Sequence, residues 1–134
     1  MKKLLILSIA VNVILISWFV IRKVRVVSPP GFASFASNPV YSEQVNITAA
    51  YNTPCDIAFL GDSHVFKCHW SELLGFPVCN RGIGSDVTEG MYRRLNTVIR
   101  PGLKVCFIMS GANDIEQKKS VDSVVYWYSK IVGE

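Results

Sequence analysis

Polar and apolar positions along the chain fall into two regimes. From Leu4 to Ile21 apolar residues run on, broken only by Ser8, Asn12 and Ser17. From Asp56 onward, short apolar runs alternate with stretches of helical period. Ile57 to Leu60 has no polar alternation, the mark of a strand covered on both faces. Val65 to Leu74 then sets Phe66, Trp70, Leu73 and Leu74 at helical spacing. Pro77 to Asn80 predicts a short second strand. Across Asp86 to Arg100, Val87, Met91, Leu95 and Val98 form one apolar stripe. Ser85 or Asp86 would cap that helix, with Glu89 three residues past Asp86, and Pro101-Gly102 would end it. Leu103 to Met109 predicts a third strand at the centre of the sheet. Residues 120–132 predict a last helix, with Val121, Val124, Val125, Tyr128 and Val132 facing one way. Strands alternating with helices imply right-handed crossovers and a parallel sheet.

The first regime has a different solvent. As a helix rising about 1.5 Å per residue, Leu4 to Ile21 reaches roughly 27 Å, close to a bilayer core. Trp18 and Phe19 sit near its end, where interfacial aromatics are common. Lys2 and Lys3 precede it as in a signal peptide, yet no small-x-small cleavage site follows directly, and Ala33 to Ala36 is a late, poor one. The expectation is an uncleaved, single-pass signal anchor over residues 1–25, partnered with the bilayer through residues 4–21. The domain beyond it is then placed at the membrane on the extracytoplasmic side. Orientation has little support from charge, because Lys2 and Lys3 face Arg22, Lys23 and Arg25 across the span. Residues 26–54, with Pro29, Pro30, Gly31, Pro39 and Pro54, read as a linker without long regular elements. Asn46-Ile47-Thr48 within it has the form of a glycosylation sequon, a triplet frequent by chance. Residues 55–134 form the domain.

Charge changes little once the anchor is set aside. Five of the 14 Lys and Arg flank the membrane run, leaving nine against 10 acidic residues. Nucleic-acid binding needs a basic face on the folded part, and this balance supplies none. The four cysteines, Cys55, Cys68, Cys79 and Cys106, show no Cys-x-x-Cys pair and no histidine at zinc spacing, so no metal is expected. Cys79 and Cys106 lie in apolar runs, where a free thiol is usually a small core residue; a disulfide between some pair stays open. No cofactor is expected either. Gly82-Ile83-Gly84 could open a dinucleotide or flavin turn, but the fingerprint wants a further glycine where Val87 stands.

In a doubly wound sheet the carboxyl ends of neighbouring strands open on one crevice. The first strand delivers Gly61-Asp62-Ser63 there, at the start of a helix whose free N–H groups favour negative charge. The second delivers Asn80-Arg81-Gly82-Ile83-Gly84-Ser85-Asp86, and the third Gly111-Ala112-Asn113-Asp114. A hydroxyl, a turn rich in N–H donors and a side-chain amide are the parts of an oxyanion hole around a serine. Taken singly, Asp62 and Ser63 can equally cap a helix and Asn113-Asp114 make a turn.

Together, these three blocks resemble the SGNH, or GDSL-type, esterase and lipase family, from about Asp56 to Glu134. The resemblance implies a flavodoxin-like three-layer α/β/α fold with a parallel sheet, and hydrolysis of acyl or acetyl esters of lipids or glycans, with a small acyl ester as substrate. It implies Ser63 as nucleophile, with its own N–H, the backbone N–H of Ser85 and the side chain of Asn113 as oxyanion donors. Gly61, Asp62, Gly84, Gly111 and Asp114 support them. Ser85 stands where the family usually has glycine. The family also carries its general base in a later Asp-x-x-His block, which these residues lack, so the expectation is a C-terminally incomplete domain, inactive as it stands. His64 and His69 are poor substitutes, the first diverging from its neighbour Ser63 and the second pointing away on a helix. The alternative is a non-catalytic, membrane-anchored SGNH-like binding module or a degenerate remnant. Oligomeric state stays open.

Overall fold

The computed structural model describes residues 17–18, 35–51 and 53–134. The expected span over residues 4–21 therefore lies outside the described residues, Ser17 and Trp18 excepted. Among the described residues no helix is long and apolar enough to cross a membrane.

Three parallel strands form the sheet: β1 (Ile57–Gly61), β2 (Cys79–Gly82) and β3 (Val105–Met109). Their order is β2-β1-β3, so the first strand is central and β3 is an edge, not the centre that its apolar length suggested. Register pairs Gly61 with Gly82 on one side and with Met109 on the other, so all three strands end level.

Among the described residues from Phe35 on, six α-helices connect or flank them: α1 (Pro39–Ala50), α2 (Ser63–Phe66), α3 (Trp70–Leu74), α4 (Thr88–Arg93), α5 (Ala112–Glu116) and α6 (Val121–Val132). Helix α1 occupies the stretch expected to be an irregular linker. Its prolines do not forbid it, because Pro39 sits at the helix start, where a missing N–H costs nothing. Asn38 caps it by accepting from Val40 N at 3.0 Å. Arg100 donates to the carbonyls of Tyr51, Thr48 and Ala49 at its other end, neutralising the negative pole. Tyr41 hydroxyl donates to Gly90 O at 2.7 Å, fastening α1 to the domain.

The single helix expected over Val65 to Leu74 is two short ones. Asn80 explains the break: its amide donates to the carbonyls of Val65, Phe66 and Cys68 at 3.0, 3.2 and 3.0 Å. Those acceptors are satisfied by a side chain from β2, so the helix need not continue. Likewise the helix expected over residues 86–100 is α4 followed by a 3-10 turn at Leu95–Thr97. Its stripe is as expected: Val87, Met91, Leu95 and Val98 are all buried. The second and third strands each begin two residues later than expected.

The core lies on one sheet face, where Ala58 and Leu60 meet Met91, Leu95, Val98 and Ile131. Burying a side chain such as Leu60 fully stabilises by about 1.5–3 kcal/mol. Helix α6 is rotated from its expected stripe: of those residues Val124 is half-buried, Val121, Val125, Tyr128 and Val132 are exposed, and Ile131 is buried. Trp127 decides this, packing against Tyr92 at 5.4 Å with Arg93 over its ring at 5.0 Å. Cys79 is not a free thiol but is bonded to Cys55, with Cα atoms 6.0 Å apart; Cys68 and Cys106 are free.

Candidate active site

Each strand end carries one block of the site, and glycine is what lets the blocks touch. A Cβ on Gly61 would lie 2.3 Å from Val65 Cγ2 and 2.8 Å from Met109 O. On Gly82 it would lie 2.1 Å from Phe66 N. Neither separation is tolerable, so both positions hold the strand ends against the turn of helix that begins with Ser63.

Asp62 precedes that turn and is buried. Its Oδ1 accepts from His64 N at 2.9 Å and meets His64 Nδ1 at 2.9 Å. Ser63 opens α2, so its N–H is among the first-turn donors with no helical acceptor. Its hydroxyl has no hydrogen-bond partner among the described residues. His64 is largely exposed and held by Asp62, and His69 is exposed beside Glu72 at 3.4 Å. Neither imidazole bonds the Ser63 hydroxyl.

The second block is a turn closed by Asp86 N donating to Ile83 O at 3.2 Å. Ser85 occupies it at φ 60°, the left-handed region that favours glycine. This is the position where the resemblance expects glycine, and the backbone conformation is the one glycine would take. Asn38 donates to Gly84 O at 2.7 Å and pins the turn from outside. Neither Ser85 nor Asp86 supplies the N-cap that the sequence predicts for α4. Asp114 does it from the third block: its Oδ2 accepts from both Thr88 N and Thr88 Oγ1 at 2.9 Å.

Asn113 joins all three blocks. Its Nδ2 donates to Asp86 O at 2.8 Å and lies 3.5 Å from Asp62 Oδ2, next to Ser63 in sequence. One amide hydrogen thus holds the second block, and the other has only a long contact to the first.

Beneath the site lies a residue that the sequence did not single out. Arg94 is wholly buried with Asp86, Nη2 to Oδ2 at 2.8 Å. It also donates to Arg81 O at 2.9 Å and Gly61 O at 3.1 Å, tying the ends of β1 and β2 together. Burial pushes the Asp86 carboxyl up to about 6, against the opposing pull of Arg94. An arginine beside an apolar stripe was the available signal, but its partner sits eight residues away. Asn38 and Tyr41 came from the stretch expected to be an irregular linker, and Arg100 from the end of an expected helix whose stripe does not include it. Among the described residues no three His, Cys, Asp or Glu side chains cluster as metal ligands.

No protein-family model and no curated protein matches the sequence. Solved structures do. A Streptococcus pneumonia protein named after platelet activating factor superposes with TM-score 0.62 at 23% identity, over 70% of this chain and 45% of that one. AlinE4, an SGNH-hydrolase family esterase, superposes with TM-score 0.51 at 18% identity, over 63% of this chain and 54% of that one. The chain has an SGNH-hydrolase-like fold. It spans about half the length of these neighbours. The resemblance drawn from the three sequence blocks thus agrees with the fold.

Proposed function

We propose that this SGNH-like domain bears the nucleophile and oxyanion donors of a serine ester hydrolase acting on acyl or acetyl esters of lipids or glycans. The observation that carries the reading is Asn113, whose amide reaches Asp86 O and approaches Asp62, so that one side chain gathers the three strand ends around Ser63. In this reading Ser63 Oγ attacks the ester carbonyl. The N–H groups of Ser63 and Ser85 and the Asn113 amide hydrogen held only by the long Asp62 contact receive the charge that develops on the carbonyl oxygen. Asp62, Gly61, Gly84, Gly111 and Asp114 hold the backbone in place. The proton of Ser63 needs a base, and neither described histidine bonds that hydroxyl. The chain alone should therefore acylate slowly.

An extracytoplasmic setting beside a bilayer, anchored through residues 4–21, fits this reading. The Cys55–Cys79 disulfide supports an oxidising compartment. The test is labelling by a fluorophosphonate probe. Slow, stoichiometric modification that maps to Ser63 and disappears in Ser63→Ala is the expected result; no labelling, or labelling that persists in Ser63→Ala, rejects it. A second reading, a non-catalytic SGNH-like module, is favoured by the unpartnered Ser63 hydroxyl. It predicts ester-ligand binding that Ser63→Ala leaves unchanged, with no probe adduct.

A further inference from the structure

Among the described residues two arginines are more than nine-tenths buried, and only one has a counter-ion. Arg94 has Asp86. Arg81, 5% exposed, has no ion pair; its Nη1 donates only to the Asn80 carbonyl at 3.1 Å, and its Nε is buried with no partner at all. Burial, and then the nearby charge of Arg100, pushes its pKa down. A guanidinium keeps its proton under such pressure, so the charge remains and lacks an anion.

Arg81 also lines a cavity of about 390 Å³ with Tyr51, Thr53, Val78, Cys79 and Asn80. The Tyr51 ring lies 5.4 Å from the guanidinium carbon and forms one wall. The Cys55–Cys79 disulfide ties the strand bearing Arg81 to the segment bearing Thr53, which keeps the walls together. A guanidinium without a counter-ion, beside an aromatic face and a space larger than a small ion, is suited to an anion's oxygen.

We propose that this cavity is an anion site in which the Arg81 guanidinium binds a small oxyanion. The site is independent of the Ser63 chemistry, and an inactive serine leaves it intact. The probe is inorganic phosphate, titrated into the full ¹⁵N-labelled chain against sodium chloride at matched ionic strength. Backbone-to-side-chain correlations assign the arginine Nε–H signals, so no variant is needed for assignment. The Arg81 signal should move saturably at millimolar phosphate, with Arg93 and Arg100 shifting little. Thr53→Trp, which fills the cavity without touching the charge, should weaken binding at least tenfold. The proposal is overturned if Arg81 shifts no more than Arg93, if chloride gives the same response, or if Thr53→Trp binds phosphate as the wild type does.

Discussion

The two faces of the sheet are built from alternate residues of the same strands, yet they end in different environments. On one face Ala58 and Leu60 are fully buried beneath Met91, Leu95, Val98 and Ile131. On the other, Phe59 stacks between Trp70 at 4.3 Å and Phe107 at 4.9 Å, and the cover stops there. Val105, Phe107 and Met109 of the edge strand remain 44%, 52% and 49% exposed. A strand that is apolar on both sides is suited to two covering layers. β1 has both, and β3 has one. The lesson is that apolar character marks what a strand is suited to, and the packing partners decide how much of it is buried.

The difference can be tested from the largest effect down. Arg94→Met should cost about 3–5 kcal/mol at neutral pH, because it leaves Asp86 buried without its cation. Urea unfolding at pH 7.5 measures it. The loss should shrink in mildly acid solution, where Asp86 takes up a proton. Next, Leu60→Ala on the covered face should cost about 2–5 kcal/mol, and Phe107→Ala on the open face about 1 kcal/mol or less. Equal losses in the two variants would mean that the open face is covered in solution, and would break the comparison.

Asp114→Asn should cost about 1 kcal/mol, by weakening the remote cap on Thr88; unfolding midpoints should shift with an unchanged denaturant slope. The last test is the pH profile. Asp86 has a folded value of about 6, above its ordinary value of 3.8. Between those values the native state holds more protons than the unfolded chain, so this group makes stability fall as pH rises through that window and level off above it. Melting temperatures of the wild type against Asp86→Asn isolate the slope. A contribution that rises with pH would show that Arg94 outweighs burial.

Several features were legible because their cause is local. Gly61-Asp62-Ser63, the Asn80 to Asp86 turn and Gly111 to Asp114 each stand at a strand end, as their neighbours in sequence implied. The Val87, Met91, Leu95, Val98 stripe was legible for the same reason, since helical period is a property of one segment. The left-handed φ of Ser85 was hidden, because serine does not advertise a conformation that glycine usually marks. Helix α1 was hidden by reading Pro39 as a breaker, when at a helix start it favours one.

By itself, then, the order of residues determined the alternation of strands and helices, the parallel sheet and the three polar blocks at its edge. Only the tertiary structure decided that β1 is central, that Cys55 bonds Cys79 and that Asp114 caps a helix 26 residues away. It also decided that α6 buries Ile131 and leaves Val125 in water. Periodicity and turn chemistry arise from residues a few positions apart. Which strand, thiol or helix face meets which is set by contacts between distant segments, and those form only when the chain closes on itself.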